Sequence, residues 1–216
     1  MDEDTEDEYE RIDPYVDVWG HHGYHFEQWL SQGNTSEQYR QMLRESGDTA
    51  WMYHNPSWAF ITPKWQRLIC GLYMWRIPIQ ARTDYTYSYM RGNPLNDLDG
   101  SGTDYGFAFP LSLSKAEIIT TRHWEAWREG IEDLWYLSTL KQLIPESPQT
   151  QEAQNAKQWL EEELPAKYPD FQQTQAGGWS TPRQSPIIYA MDQQFSPADM
   201  KEIRRTAAQH ILKLQE

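Results

Sequence analysis

The chain has a single cysteine, Cys70, in 216 residues. A lone cysteine excludes a disulfide framework within the chain and a cysteine-based metal cluster. Positive charge is also scarce: 19 Lys and Arg stand against 32 Asp and Glu, and the resulting net charge of −13 disfavours nucleic acid and anionic membranes as partners. No apolar run approaches the roughly 20 residues of a membrane span, and the acidic start MDEDTEDEYE is the reverse of a secretory signal. We therefore predict a soluble protein with no membrane partner and no export signal in this chain.

Large aromatic side chains, in contrast, are abundant. The chain has 11 Trp and 13 Tyr, and two explanations for them stay open. The core is unusually aromatic, or a cleft displays some of the rings. Because the C–H face of a pyranose ring stacks on aromatic faces, the second explanation predicts carbohydrate as the ligand.

The stretch 120–143, TTRHWEAWREGIEDLWYLSTLKQL, predicts the longest helix. Helical spacing places one set of side chains on a single side, which we expect to face the core: Trp124, Trp127, Ile131, Leu134 and Trp135. A second set is expected on the solvent side: Glu125, Glu129, Glu132 and Asp133. The predicted start is a cap at Thr120 or Thr121, and Lys141 followed by Pro145 suits the end.

Two residues inside this helix are unusual. Gly130 costs about 1 kcal/mol relative to Ala in a helix interior, so we expect close packing against that point. Arg128 has Glu125 and Glu132 at the spacings that allow ion pairs, which predicts a structural pairing at the edge of the helix.

The remaining elements follow from periodicity and from caps. Strands are predicted at 15–19, ended by Gly20, at 49–55 and at 79–89. Helices are predicted at 35–46, 65–76, 149–164 and 196–215, the second starting at Thr62-Pro63 and the last at Ser196-Pro197. Residues 90–118 and 165–186 are predicted as loops rich in Gly, Pro and polar residues. This divides the chain into an acidic arm (1–13), an α/β region (14–145) and a helical C-terminal extension (146–216).

Several clusters suggest metal binding, but their spacing argues against it. His21, His22 and His25 are expected in a loop, because Gly20 and Gly23 disfavour the helix that an HxxxH zinc pair needs. The segment NDLDGSGTD partly resembles a calcium loop, yet Leu95 and Gly106 stand where its first and last acids belong. Asp17, inside the first predicted strand, is either a paired structural carboxylate or part of a site. We predict no metal and no cofactor.

The long helix also carries a family resemblance. HWEAWREGIEDLWYLSTL resembles the helix after the last barrel strand in the glycoside hydrolase family 123 type, also called domain of unknown function 4091, which includes β-N-acetylgalactosaminidases. Other segments are similar to that family in the same order: YVDVW (15–19), AWMYHN (50–55), RLICGLYMWR (67–76), NDLDG (96–100) and YGFAFP (105–110). The resemblance covers roughly residues 10 to 145.

The resemblance implies a TIM (β/α)8 barrel, of which this chain contains about three βα units. The predicted units, at 15–54, 49–88 and 79–144, match the sixth, seventh and eighth of the family. A closed barrel needs eight, and three units leave two open sheet edges, which native proteins rarely tolerate. We therefore expect the C-terminal portion of a larger barrel followed by a helical tail, with the missing N-terminal barrel half as a partner. The family also implies a secreted or periplasmic parent.

The family's chemistry is only partly expected here. Its members use an adjacent Asp-Glu pair at the end of an earlier strand, with the substrate's own acetamido group as nucleophile. The pairs Asp2-Glu3 and Asp7-Glu8 lie too close to the strand at Tyr15 for the intervening helix and strand, so the catalytic pair is not assigned to them. We predict that this chain alone is inactive.

What remains is a carbohydrate-facing wall at the carboxyl ends of the three strands, as the family implies. The candidate sugar-binding residues are Trp19, His21 and His22 on the first strand, Tyr53, His54 and Trp58 on the second, and Asp84, Tyr85 and Tyr87 on the third. The expected substrates are glycans, N-acetylhexosaminides among them. Two alternatives stay open: a non-catalytic carbohydrate-binding or structural module, and an acidic helical interaction protein that binds no glycan.

Overall fold

The computed structural model shows a mixed α/β fold that is mostly helical and contains a small three-stranded parallel sheet. The residues it describes are 15–22, 36–54, 62–77, 79, 81–84, 88–89, 105–106, 108–112, 117–168 and 186–216.

The parallel sheet consists of β1 (Val18–His22), β2 (Thr49–His54) and β3 (Ala81–Asp84), side by side in chain order. The prediction that Gly20 ends the first strand is wrong. Gly20 pairs with Trp51 inside the ladder, and β1 continues through His21 and His22, which were predicted in a loop. A glycine retains both backbone hydrogen-bonding groups, so it weakens a strand without interrupting its ladder.

Two helices connect these strands, and both predictions are confirmed. Helix α1 (Ser36–Ser46) ends at Gly47, whose φ of 81° is a left-handed value that suits glycine. Helix α2 begins as Pro63–Leu68, widens into a π-helical segment, Ile69–Tyr73, and ends as Met74–Arg76. The Thr62 hydroxyl accepts a hydrogen bond from the Trp65 amide at its start, as the Thr-Pro pair predicts.

The third strand and the following loop differ from the prediction. Strand β3 spans Ala81–Asp84, and Ser88 and Tyr89 belong to a different sheet, so the prediction of one strand over 79–89 is wrong. Four further strands form two antiparallel pairs: β4 (Ser88–Tyr89) with β5 (Tyr105–Gly106), and β6 (Ala108–Ser112) with β7 (Glu117–Thr120). The prediction of one long loop over 90–118 is therefore wrong, because short apolar runs such as residues 108–112 pair locally despite the glycines and prolines nearby.

Helix α3 (Arg122–Leu143) lies where the sequence predicts it, with Thr121 as its cap. Its core side was predicted only in part: Leu134 packs against the core, partly buried, but none of the predicted core residues is fully buried. The buried residues are Ala126, Gly130, Asp133, Leu137 and Leu140, whereas Trp135 is 65% exposed. Of the predicted solvent-facing acids, Asp133 is 2% exposed.

The tail is helical and shares a core with the sheet. It contains α4 (Gln151–Gln158) with a π-helical extension (Trp159–Glu163), α5 (Pro186–Gln194), which was not predicted, and α6 (Pro197–Leu214). The Ser196 cap of α6 is confirmed as a reciprocal capping box with Asp199. Leu160, Met191 and Ile203 from this tail belong to the same buried cluster as Met52 of the sheet.

Tyr168 in this tail is expected to set an alkaline limit on stability. Its hydroxyl donates to the Leu72 carbonyl at 3.1 Å, and burial raises its pKa although nearby Arg76 acts to lower it. In the unfolded chain the tyrosine ionises near pH 10. The folded state resists this ionisation. The stability that this difference gives the folded state is therefore complete below about pH 10 and is lost as the pH rises further.

We expect this side chain to contribute a fall of about 1.4 kcal/mol in unfolding free energy per pH unit above 10. Tyr168→Phe should remove that slope and cost about 0.5–1.5 kcal/mol at neutral pH through the lost hydrogen bond. Urea unfolding between pH 8 and 11.5, followed by circular dichroism, measures both. Parallel pH profiles for the two proteins would contradict the prediction.

Candidate functional site

The carboxyl ends of the three parallel strands bring together several predicted sugar-binding residues. The ladder pairs His22 with Tyr53 and Tyr53 with Thr83. In the next row it pairs His54 with Asp84. His22, Tyr53, His54 and Asp84 thus occupy adjacent backbone positions at one edge of the sheet, the edge at which parallel α/β folds bind ligands.

His21 lies one row earlier in the ladder than His22. It pairs with Met52, which in turn pairs with Arg82. The predicted residues Trp58, Tyr85 and Tyr87 lie outside the described residues, as does His25 of the histidine cluster. The carboxyl edge therefore joins residues from all three strands.

Trp19 does not lie at this edge, contrary to the prediction. It is the second residue of β1 and pairs with Ala50 near the start of β2. Its indole N–H donates to the Asp48 carboxylate at 3.1 Å. The strand begins and ends about three residues later than predicted, so a residue expected at its end is near its beginning. This contact joins β1 to the turn before β2.

The two faces of the sheet are unlike. On one face Ala50 and Met52 are fully buried. On the other, Val18 is 45% exposed and Trp51 is 39% exposed, and Gly20 and Thr83 are exposed as well. Because side chains alternate along a strand, one face of the sheet is buried in the core. The other, which we call the open face, is partly exposed among the described residues.

A dense charge cluster lies among the helices. It joins four carboxylates of α3 to three arginines of α2, α3 and α6, and we call it the α3 charge cluster: Glu125, Glu129, Glu132, Asp133, Arg67, Arg128 and Arg204.

Asp133 is the centre of this cluster. Arg67 donates to both of its oxygens, at 2.6 and 2.9 Å, and Arg204 Nε donates to Oδ1 at 2.5 Å. Arg204 also contacts Glu132 at 3.0 Å and Glu129 at 2.8 Å. Burial acts to lower the pKa of Arg204, but its hydrogen bond to Asp133 and the surrounding carboxylates raise it. The cluster holds α6 against α3 and α2.

Arg128 pairs with Glu125 and Glu132, as the sequence predicts. These pairs raise the pKa of Arg128, chiefly through the hydrogen bond that Arg128 donates to Glu125. Its side chain is 48% exposed, so the pairing is a surface feature of α3 and contributes little to stability.

Cys70 is a buried thiol in the π-helical segment of α2. Arg82 Nη1 lies 2.6 Å from its sulfur, and Gln66 Nε2 lies 3.7 Å away. The residue is fully buried, and a thiol without solvent access is shielded from oxidants and electrophiles. We interpret it as a packing residue between α2 and β3.

The acids of the described residues do not form a catalytic pair. The adjacent acids of α3 are engaged by arginines, as a structural cluster requires, so they do not resemble an acid–base pair poised for hydrolysis. Within the described residues, no group of three His, Cys, Asp or Glu is arranged to hold a metal ion. The helices of the described ranges include none long and apolar enough to cross a membrane.

The sequence prediction missed Trp51, a large aromatic residue on the open face. A signal for it was present, because Ala50 and Met52 alternate with Trp51 in a strand of period two. It also missed Arg67 and Arg204, since their partner Asp133 is 66 and 71 positions away.

Comparisons with known proteins identify no relative of this chain. No protein-family model, no curated protein and no solved structure matches the chain.

Proposed function

We propose that this chain is a carbohydrate-binding portion of a glycoside hydrolase-like (β/α) barrel. On this proposal it contributes a sugar-facing wall and binds glycans, N-acetylhexosaminides among them, without hydrolysing them by itself. The remaining barrel units, with the catalytic Asp-Glu pair, belong to a partner segment. The ligand class rests on the family resemblance of residues 10 to 145.

One observation carries the proposal: the three parallel strands lie in chain order, with both crossover helices on one side. Leu43 of α1 and Leu68 of α2 belong to the same buried cluster as Ala50 and Met52. Two right-handed crossovers in one direction place their helices on the same face. Doubly wound sheets reverse direction and cover both faces, whereas barrels do not reverse.

The open face supports the same proposal. Parallel sheets are normally covered on both faces, yet Val18 and Trp51 are exposed here. In a closed barrel this face is the interior, which side chains of the other strands fill. An open interior face is what a partial barrel has.

The proposal predicts saturable glycan binding without turnover. We expect N-acetyl-D-galactosamine, N-acetyl-D-glucosamine or D-galactose to change tryptophan fluorescence and to raise the melting temperature. The chain should release no 4-nitrophenol from 4-nitrophenyl N-acetyl-β-D-galactosaminide. If no sugar changes the tryptophan fluorescence or the melting temperature, the alternative interpretation, an acidic interaction protein that binds no glycan, is the better one.

A matched pair of variants tests the position of the site. Asp84→Asn removes one negative charge at the carboxyl edge of the sheet, and Glu202→Gln removes one on α6. Only the first should weaken binding. Equal effects from both variants would mean that overall charge, and not the carboxyl edge, governs the affinity.

A further inference from the structure

His210 joins α6 to α4. Its Nδ1 lies 2.6 Å from Glu152 Oε1, although the two residues are 58 positions apart in the chain. The two side chains are only 15% and 20% exposed, so dissolved salt screens this contact much less than it screens a surface pair. The imidazole also lies against Trp159, with the ring centroids 5.6 Å apart and the ring planes tilted by 38°. His210 of α6 therefore contacts a carboxylate of α4 and an indole of its π-helical extension.

The strength of this contact depends on the charge of the imidazole. A neutral imidazole with its proton on Nδ1 donates a hydrogen bond to the carboxylate. A protonated imidazole donates the same bond and adds the attraction between two opposite charges, which is strong where water has little access. Its positive charge is also attracted to the face of the indole. Histidine is the side chain that ordinarily changes charge between pH 5 and 8, so this contact is sensitive to pH.

Charged groups of the described residues face this contact from three helices. α4 presents the Glu152 carboxylate itself. α6 presents Lys213, whose Nζ lies 3.6 Å from the other carboxylate oxygen and whose side chain is 59% exposed, so solvent screens its repulsion of a charged imidazole. α3 also packs against α6, but its carboxylates there pair with Arg204, almost two turns before His210: Glu129, Glu132 and Asp133. Burial opposes the imidazole charge, and the direct contact with Glu152 offsets it.

We propose that His210 and Glu152 form a pH-sensitive clasp that holds the C-terminal half of α6 against α4. The clasp is strong when the imidazole is protonated and weaker when it is neutral. Arg204 holds the middle of α6 to α3 through separate ion pairs, so only the last turns of the helix respond to pH. These turns carry Ile211 and Leu214, which are partly buried against the core. A weakened clasp therefore lets this apolar contact open more often.

Amide hydrogen exchange of the full chain, followed by mass spectrometry, tests the clasp. Protection of residues 206–214 should fall about 3- to 10-fold between pH 5.5 and pH 8, the change expected when a hydrogen-bonded ion pair becomes a bond from a neutral donor. Each rate is first corrected for the intrinsic effect of pH on exchange. His210→Gln keeps a polar side chain that cannot gain a proton, so it should abolish the fall. Glu152→Gln removes the other charge and should reduce the fall in the same way.

Two controls separate the clasp from a general response to pH. His123→Gln removes a histidine of α3 instead, and residues 206–214 should keep their pH-dependent fall in this variant. Protection of residues 130–140 in α3 should change little over the same pH range. An equal fall in α3 and α6 would mean that the whole chain responds to pH, and the clasp would be refuted. The same conclusion follows if the fall persists in His210→Gln, or if the unmodified chain shows none.

Discussion

Asp133→Ala is expected to lower the free energy of unfolding by about 3–5 kcal/mol, the cost of removing one partner from a buried ion pair. The carboxylate accepts from Arg67 at 2.6 Å and from Arg204 at 2.5 Å and is almost fully buried. Without it, the Arg67 guanidinium stays buried in a site that has lost its central negative charge. Glu129 lies farther away, at 3.5 Å, and cannot replace a bidentate partner. Urea unfolding followed by circular dichroism measures the loss.

Glu125→Ala is the matched control on the same helix. It also removes a carboxylate from the α3 charge cluster, but this one pairs with Arg128, whose side chain is 48% exposed. Its loss should cost less than about 1 kcal/mol. Equal losses of unfolding free energy in Asp133→Ala and Glu125→Ala would show that burial does not decide how much these acids contribute to stability.

Arg204→Met tests the part of the cluster that connects the tail. Arg204 binds Asp133, Glu132 and Glu129 from α6, so its loss should destabilise the contact between α6 and α3. Arg67 still pairs with Asp133 in this variant. We therefore expect a smaller loss than for Asp133→Ala, because no charge is left buried and unpaired.

Helix starts could be predicted from the sequence because their signals are local. Thr62, Thr121 and Ser196 each accept a hydrogen bond from a backbone amide three residues later. The cap hydroxyl and the backbone amide that donates to it are neighbours in the chain, so no tertiary information is needed. All three starts are confirmed.

The orientation of α3 could not be predicted in the same way. Tryptophans predict the buried side of a helix, yet Trp135 is exposed and Asp133 is buried. The deciding contacts are with Arg67, and with Arg204 of the tail. An acid is buried when cations from distant segments neutralise it, and helical periodicity carries no information about those segments.

The position of each residue in the candidate site also depends on strand register, which the sequence does not predict locally. The strand positions near 18, 50 and 82 could be predicted from apolar runs, so the gathering of His22, Tyr53, His54 and Asp84 at one edge followed. A shift of about three residues in β1, however, moves Trp19 from the end of the strand to its start. Register depends on pairing with β2, such as Gly20 with Trp51, and a single sequence does not encode that pairing locally.

Gly130→Ala is expected to lower the free energy of unfolding by about 1–3 kcal/mol, the cost of overpacking a tight contact. In an ordinary helix interior the same change adds about 1 kcal/mol of stability, so the sign itself is the test. A Cβ at Gly130 would lie 2.6 Å from the Arg67 carbonyl oxygen and 2.7 Å from the Cys70 Cβ. Both are parts of the backbone or next to it, so neither moves aside without shifting α2. That shift would also move Arg67 relative to Asp133.

Gly71→Ala and Gly20→Ala serve as comparison variants for Gly130→Ala. Gly71 is the reciprocal contact on α2, and a Cβ there would lie 2.9 Å from the Gly130 carbonyl oxygen, so Gly71→Ala should also destabilise the chain, but less. Gly20→Ala, in a strand with open space at that position, should raise stability by up to about 1 kcal/mol. Thermal and urea unfolding of the three variants should therefore give opposite signs for the helix pair and the strand. A stabilising Gly130→Ala would mean that α2 and α3 are farther apart than this contact requires, and that Gly130 does not set their separation.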